Sequence, residues 1–286
     1  MANFRKGYYS TLGVNSVEVQ SSLSIAMNEE PLNIVKLQKL CLWVRIPHSH
    51  RLIVWKVLLK IISNYKSSWK FKFQEEESLL TTMQKLYNLT DESADVLLVK
   101  AVLLQITNAK DPLELSKTLD HTPLHLLHLA KAFLGISMDM TEAFMLFRGF
   151  IQRTSANVDK QLADLLDLVK IHDYSLYQVL KVRKLDKCFM WFKTFYANVL
   201  PVVTLEGVWD IVIAGEESVL GFVGLSCLLS VKRKILVIDQ KEFDDLIDNI
   251  SNYIDADAVA NTAVNLWERP ILDRMNKDEI QRLPKG

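Results

Sequence analysis

The sequence has little glycine and little proline, the two residues that most often interrupt regular structure. Its 286 residues include 9 Gly and 7 Pro, which is well below average usage. Sandwiches and barrels turn often and usually need more of both residues. The composition therefore favours helices over a sheet-based fold.

Cysteine is also scarce, and its placement does not indicate a disulfide framework. Cys41, Cys188 and Cys227 are odd in number, widely spaced and set among apolar neighbours. This usage is typical of reduced, buried thiols in a cytosolic protein. The opening segment MANFRKGYYSTLG also lacks the apolar centre of a secretory signal. We therefore expect a cytoplasmic protein.

Neither charge sign predominates, and no apolar run is long. The 34 Lys and Arg residues balance 34 Asp and Glu residues, which argues against a basic nucleic-acid-binding protein. At about 13 residues, the longest apolar run, 219–231, is shorter than the roughly 20 residues of a transmembrane helix. The 49% apolar content is sufficient for a sizeable core and excludes a disordered chain.

Apolar residues recur at helical spacing along most of the chain. Thr90, Asp111 and Thr122 are predicted N-caps, the last two with proline next, and Gly215 is a predicted C-terminal stop. The weak strand candidate is 235–238. We predict one all-α domain over 1–286, with a lead-in over 1–30, a main body over 31–268 and a tail over 269–286. The predicted helices are 15–27, 31–43, 49–62, 75–89, 91–108, one after Pro112, 123–134, 139–153, 156–171, 173–183, 187–199, 203–213, 216–232, 240–253 and 256–268.

Common catalytic and cofactor-binding motifs are absent from the sequence, which has no Gly-rich phosphate loop, no HExxH and no GxSxG. We therefore expect no cofactor. Gly221 and Gly224 lie within an apolar helix, where small residues allow two helices to approach closely.

One histidine cluster is a candidate metal site. His121, His125 and His128 have the spacing of one helical face, but Pro123 places the helix start after His121. Because no Cys, Asp or Glu on that face completes a ligand set, we predict no metal site.

Two basic runs, 181–184 and 232–234, fall at predicted helix C-termini, where cations favour the negative end of the helix dipole. A solvated helix end is the favoured interpretation. Binding to anionic lipid or to an acidic partner is the alternative.

Two segments of the sequence carry distinctive motifs. The first reads Ile46-Pro47-x-x-x-Arg51-x-x-x-Trp55-x-x-Leu58, and the second contains Trp191, Leu200-Pro201 and Trp209-Asp210. These segments resemble the signatures of the TBC-domain family, whose members are typically GTPase-activating proteins for Rab GTPases, although Arg45 stands where the family usually has Gly. Family members are all-helical across a domain of about this length, so the resemblance implies a multi-helix TBC domain.

The residues of these signatures have a structural interpretation. Arg51 and Trp55 are i, i+4 neighbours on one helical face, and Asp210 is placed to pair with Arg51. Trp55, Trp191 and Trp209 are predicted to be large apolar anchors of the core.

The two side chains that active members supply to the GTPase are missing. They are an Arg from Ile-x-x-Asp-x-x-Arg and a Gln from Tyr-x-Gln; here no Asp precedes an Arg by three positions, and no Tyr precedes a Gln by two. The nearest cases are Asp167 with Lys170, and Tyr177-Gln178. An arginine finger accelerates the reaction by about 10³–10⁵, and Lys lacks its planar fork. The resemblance therefore implies a non-catalytic protein with no catalytic residues.

Within the family, the sequence is similar to the small TBC-domain subunits of the tuberous sclerosis complex. This resemblance implies binding to the coiled coil of hamartin and, through it, to tuberin, which acts as the GTPase-activating protein for Rheb and restrains TOR signalling. It also implies recruitment to lysosomal or vesicle membranes through partners. The shared segments are Asn3-Phe4-Arg5, Tyr8-Tyr9, 54–59 and Leu266-Trp267.

An apolar stripe on predicted helix 75–89 is the candidate partner-binding surface. Leu79, Met83 and Leu86 follow i, i+4, i+7 spacing, with Leu80 and Tyr87 alongside. Core packing is the alternative interpretation of this stripe.

Two alternatives to a non-catalytic subunit stay open. One is an active GTPase-activating protein for a Rab GTPase that uses Arg148 or Arg153 as a non-standard finger, although both are also expected at a solvated helix end. The other is a module that binds a Rab GTPase without accelerating hydrolysis.

Overall fold

The computed structural model describes residues 19–107, 123–154 and 157–282. All regular secondary structure in these ranges is helical, which confirms the predicted all-α fold. The chain divides into two compact units, which we call unit 1 (1–155 and 209–216) and unit 2 (156–208 and 217–286). The division into lead-in, main body and tail stays a prediction.

The described helices of unit 1 are α1 Val19–Asn28, α2 Ile34–Trp43, α3 His48–Leu58, α4 Trp69–Leu86, α5 Ala94–Thr107, α6 Leu124–Ile136 and α7 Met140–Arg153. The unit is organised around the apolar helix α7. This helix packs against α3, α4, α5 and α6 and buries Phe144, Phe147 and Phe150 completely. Its acidic cap Asp139 accepts a hydrogen bond from the backbone N–H of Glu142 at 2.7 Å.

The described helices that begin in unit 2 are α8 Val158–His172, α9 Tyr174–Leu180, α10 Phe189–Lys193, α11 Val202–Ile213, α12 Val219–Ser230, α13 Lys232–Ile235, α14 Gln240–Asp248 and α15 Ala256–Arg282. The unit is organised around α12, which packs against both α8 and α15. A helix covered on several sides is apolar all round, which explains the apolar run seen in the sequence. Helix α11 contributes its residues from Trp209 onward to unit 1.

Two glycines of α12 allow it to lie close to its neighbours, as the sequence predicts. A Cβ atom added to Gly224 would lie 2.5 Å from the Tyr196 hydroxyl and 3.2 Å from Leu165 Cδ1. A Cβ atom added to Gly221 would lie 3.0 Å from Leu168 Cδ1. Gly215 has a φ of 106°, which fits its predicted place after the end of a helix.

The predicted helix 187–199 is wrong in its second half. Helix α10 ends at Lys193, and Phe195 and Tyr196 have φ angles of 48° and 65°. Side chains with a Cβ atom rarely adopt this left-handed conformation, and it ends a right-handed helix. The predicted strand 235–238 is also wrong, because Ile235 ends α13 and a turn follows.

Several helices begin or end at residues other than those predicted. Thr90 is not an N-cap, because α5 begins at Ala94, and α4 begins at Trp69 rather than at residue 75. Pro123 occupies the N-cap position of α6 rather than its first turn, and α15 continues beyond 268 to Arg282. Asp111, Thr122, the predicted start at 15 and the helix after Pro112 lie outside the described residues.

All three cysteines are free and buried, as the sequence predicts. Burial raises the pKa of the Cys227 thiol to about 12, and it also raises the pKa of Cys41 and of Cys188. Among the described residues, no helix has both the length and the hydropathy of a membrane span.

Candidate functional site

The carboxylate of Asp210 gathers the signature residues of unit 1. Its Oδ1 accepts hydrogen bonds from Arg51 Nε at 3.1 Å and from Trp55 Nε1 at 2.8 Å. Its Oδ2 accepts from Arg51 Nη2 and from the Ile46 N–H, each at 3.3 Å. The sequence predicts the pair of Arg51 with Asp210, and the structure adds Trp55 and Ile46 to it.

The local chain explains why these donors converge. Pro47 is extended, with φ −60° and ψ 142°, so α3 begins directly after the Ile46-Pro47 break. Arg51 then reaches back and donates from Nη2 to the Ile46 carbonyl at 2.5 Å. Arg51 and Trp55 lie one turn apart on α3 and therefore face Asp210 together.

This cluster is buried and carries no substrate site. Arg51 is 2% exposed and Asp210 is 1% exposed. Burial raises the pKa of Asp210 to about 6, while the Arg51 charge and the donated hydrogen bonds oppose the rise. In this arrangement neither charged group is open to a molecule arriving from solvent.

The tryptophans of the signature divide between the two units. The Trp209 ring centroid lies 4.8 Å from that of Phe150, 4.9 Å from that of Phe133 and 6.3 Å from that of Trp55. These rings fill the core of unit 1. Trp191 belongs to the core of unit 2, where it is 1% exposed.

A second buried charge in unit 1 was not expected from the sequence. Glu76 is 1% exposed, and its Oε1 accepts from Arg148 Nη2 at 2.6 Å and from Lys72 Nζ at 2.9 Å. Burial opposes ionisation, but the hydrogen bonds from Arg148 and Lys72 hold the pKa of Glu76 below its usual value. The signal in the sequence is a Lys four residues before a Glu that shares a face with Leu80.

The ion pair with Glu76 holds the Arg148 side chain within unit 1. Its guanidinium also lies 5.0 Å from the Phe144 ring centroid, and only 12% of its side chain is exposed. The expectation of a solvated helix end is therefore wrong for Arg148. It holds for Arg153, the last residue of α7, which is exposed.

The predicted apolar stripe on α4 divides between core and surface. Leu80 and Met83 are 3% and 5% exposed and belong to the core, whereas Leu86 and Tyr87 are 70% and 39% exposed. Leu79 is half-buried. Phe71, on the same helix, is 72% exposed and was not part of the predicted stripe.

The exposed Phe71 and Leu86 and the half-buried Leu79 lie on one side of α4. At about 100° per residue, these three residues fall within an arc of about 80°, and they span about 22 Å along the helix. We call these three residues with Tyr87 the α4 surface.

Known proteins share sequence similarity with this chain. Residues 126–237 match the Rab-GTPase-TBC domain family. The chain is 28% identical to TBC1 domain family member 7 of Danio rerio and 26% identical to that of Homo sapiens, each over 93% of this chain and 95% and 94% of the relative. The chain is therefore similar to TBC-domain proteins, and the match to the family itself covers residues 126–237.

Solved TBC domains share the fold. The Ypt/Rab-GAP domain of Gyp1p superposes with a TM-score of 0.60 at 14% identity, covering 89% of this chain and 99% of that domain. A Chlamydomonas flagellar RabGAP TBC domain gives 0.58 at 15% identity, covering 91% and 93%. At these identities, the likeness concerns the fold alone.

The two basic runs of the chain are partly structural. Arg183 donates to three backbone carbonyls, those of Asp239, Ile235 and Ile238, at 2.7, 3.1 and 2.5 Å. Lys232 donates to Asp173 at 2.5 Å. The interpretation of these runs as solvated helix ends is therefore wrong for Arg183 and Lys232, whose side chains bond to distant segments of unit 2.

The histidines form no metal centre in the part of the chain that the structure describes. No group of three or more His, Cys, Asp or Glu in these ranges could hold a metal ion. His125 and His128 are half-buried on α6, and His121 lies outside the described residues. Burial, followed by the charge of Lys131, lowers the pKa of His128.

Proposed function

We propose that this TBC-domain protein is a non-catalytic scaffold subunit that binds the coiled coil of hamartin and stabilises the hamartin–tuberin complex. Tuberin would then supply the GTPase-activating chemistry toward Rheb, which restrains TOR signalling. The protein would be cytoplasmic and would reach lysosomal or vesicle membranes through these partners.

The observation that carries the proposal is the missing pair of catalytic motifs in an otherwise complete TBC fold. Neither Asp-x-x-Arg nor Tyr-x-Gln occurs anywhere in the sequence. Arg148, a candidate for a replacement finger, already neutralises the buried Glu76. Moving it toward a GTPase would leave Glu76 buried without its main partner, which is costly.

Similarity to relatives gives a second line of support. The match to TBC1 domain family member 7 extends over 93% of the chain, and so it is not confined to the common fold signatures. The resemblance at 54–59 and at Leu266-Trp267 is to the small TBC-domain subunits of the tuberous sclerosis complex.

The α4 surface is the proposed hamartin-binding site. It offers large apolar side chains along one side of a helix whose Leu80 and Met83 are buried in the core. An amphipathic partner helix could cover this surface in a helix-in-groove arrangement. Burying Phe71 and Leu86 would contribute about 1.5–3 kcal/mol for each fully covered side chain.

The first experiment is co-purification of the full chain with the hamartin coiled coil, followed by gel filtration. We expect one stable assembly that also retains tuberin. In parallel, GTP hydrolysis by a panel of Rab GTPases should not be accelerated by the chain alone. Failure to recover hamartin together with accelerated hydrolysis would overturn the proposal in favour of a Rab-directed enzyme.

Substitutions on the α4 surface locate the contact. Leu79→Glu with Leu86→Glu should abolish hamartin binding while leaving the melting temperature nearly unchanged, because neither residue is buried. Val182→Glu is the matched control, since Val182 is 78% exposed on unit 2. A folded double variant that still binds hamartin would exclude this surface.

A substitution at Arg153 distinguishes an active Rab-directed enzyme from a Rab-binding module. If a Rab GTPase were accelerated, Arg153→Ala should remove the acceleration, because this exposed Arg is placed at the end of α7. GTP-dependent binding without turnover would instead identify a Rab-binding module. Either result with no hamartin binding would replace the scaffold proposal.

A further inference from the structure

Unit 2 contains an open trough between α8 and the start of α12, which we call the α8–α12 trough. Its volume is about 310 Å³. It is lined by Gln161, Asp164, Asp167, Leu168, Ile171, Glu217, Ser218, Gly221 and Phe222. None of the functions considered above uses it.

The trough has an apolar floor and an elongated shape. Leu168, Ile171 and Phe222 supply apolar side chains, and Gly221, which has no side chain, leaves space beside Leu168. Its α8 residues extend from 161 to 171, which corresponds to about 15 Å along the helix axis. Ile171 remains 76% exposed at one end. This length matches about three turns of a partner helix.

The rim of the trough is acidic. Asp164, Asp167 and Glu217 line it, and no Lys or Arg occurs among its described lining residues. Asp164 and Asp167 are exposed, so their charges face the solvent that a partner would displace. A chain of zero formal net charge thus presents three carboxylates at one apolar trough.

The carboxylates set the charge that a partner must carry. An ammonium or guanidinium group at the rim would neutralise Asp164 and Asp167, whereas an acidic partner would be repelled. The apolar floor favours an apolar face on the same partner.

We propose that the α8–α12 trough binds a basic amphipathic helix of a partner protein. Apolar side chains of that helix would pack on Leu168 and Ile171. Its Lys or Arg side chains would pair with Asp164 and Asp167. This surface is separate from the α4 surface and does not depend on the identity of hamartin as a partner.

The test uses two synthetic helical peptides with the same leucine stripe, one carrying Lys and the other carrying Glu at the polar positions. Fluorescence anisotropy with the full chain should show at least about tenfold tighter binding of the Lys peptide. This preference should diminish as salt is raised, because exposed charges are screened. Equal affinity for the two peptides would overturn the proposal.

Substitutions in the trough test whether the Lys peptide binds there. Asp164→Lys with Asp167→Lys should weaken binding of the Lys peptide at least about tenfold, and Ile171→Glu should weaken it for lack of apolar contact. Asp91→Lys with Asp186→Lys is the matched control, because both residues are exposed and the change in net charge is the same. An unchanged affinity in the first double variant, with the melting temperature preserved, would exclude the trough.

Two other occupants give distinct results. If N-acetyl-lysine methylamide competes as well as the Lys peptide at equal concentration, the site binds a small cation, and the helix proposal is wrong. If the chain self-associates and Asp164→Lys with Asp167→Lys abolishes that association, the occupant is a second copy. Hamartin binding measured on the same variants reports on the proposed function separately.

Discussion

Arg51 and Asp210 are 159 positions apart in the sequence, yet Arg51 Nε lies 3.1 Å from Asp210 Oδ1. Both side chains are almost completely buried, and Trp55 and Ile46 donate to the same carboxylate. The pair therefore joins the start of α3 to the last part of α11 within unit 1. Because both charges are shielded from solvent, hydration would not compensate for the loss of either partner.

Breaking this pair should strongly destabilise the fold. Asp210→Asn or Arg51→Met leaves one buried charge uncompensated, and we expect a loss of about 3–5 kcal/mol in the free energy of unfolding. Urea unfolding followed by circular dichroism measures it. The double variant Arg51→Met with Asp210→Asn should lose much less than the sum of the single losses. Single variants as stable as the native chain would show that the pair contributes nothing.

Arg148 should affect stability through Glu76. Arg148→Met removes the shorter of two ion pairs to the buried carboxylate, and Lys72 remains 2.9 Å away, so we expect a loss of up to about 3 kcal/mol. The control is Arg153→Met, an exposed change on the same helix that should stay within about 0.5 kcal/mol. Equal melting temperatures for the two variants would contradict a structural role for Arg148.

Acid should weaken the link between Asp173 and Lys232. Hydrogen bonds from Lys232, from the Leu176 N–H and from Ser175 lower the pKa of Asp173 from 3.8 to about 2. A depressed pKa means that the carboxylate stabilises the folded state above about pH 4 and loses this contribution as the pH falls toward 2.

Comparing the native chain with a Lys232→Met variant separates the contribution of the Asp173–Lys232 pair from that of other carboxylates. The free energy of unfolding should differ between the two at pH 6, and the difference should shrink as the pH falls below 4. Urea titrations at pH 6, 4 and 3 provide the measurement. A difference that is constant with pH would show that Asp173 does not titrate in this interval.

Gly224 should not tolerate a methyl group. In Gly224→Ala the new Cβ would lie 2.5 Å from the hydroxyl of the buried Tyr196, and overpacking costs about 1–3 kcal/mol. Gly207→Ala is the matched control on α11, because nothing lies within 4 Å of its added Cβ. That change should stabilise by up to about 1 kcal/mol through helix propensity. Thermal unfolding should therefore move in opposite directions for the two variants.

The helical pattern could be predicted because it follows from local periodicity. The i, i+4 spacing of Arg51 and Trp55 places both on one face, and the apolar run at 219–231 correctly indicated a buried helix. The contact of Arg51 with Asp210 joins distant segments, and it could be predicted only because both residues stand in the signature segments and carry opposite charges.

Other features depend on tertiary contacts that spacing does not reveal. The left-handed conformations of Phe195 and Tyr196 end a helix whose residues are otherwise good candidates to continue it. The function of Arg183 depends on carbonyls more than fifty positions away. On α4, the same stripe contains the buried Met83 and the exposed Leu86, and only the neighbouring helices decide between them.

The three buried thiols have a practical consequence. Because only a thiolate reacts readily with alkylating reagents, and burial both shields these sulfurs and raises their pKa, labelling requires local or global opening. Cys41 belongs to unit 1, whereas Cys188 and Cys227 belong to unit 2. Site-resolved alkylation rates would therefore report how often each half of the native chain opens, without any engineered probe.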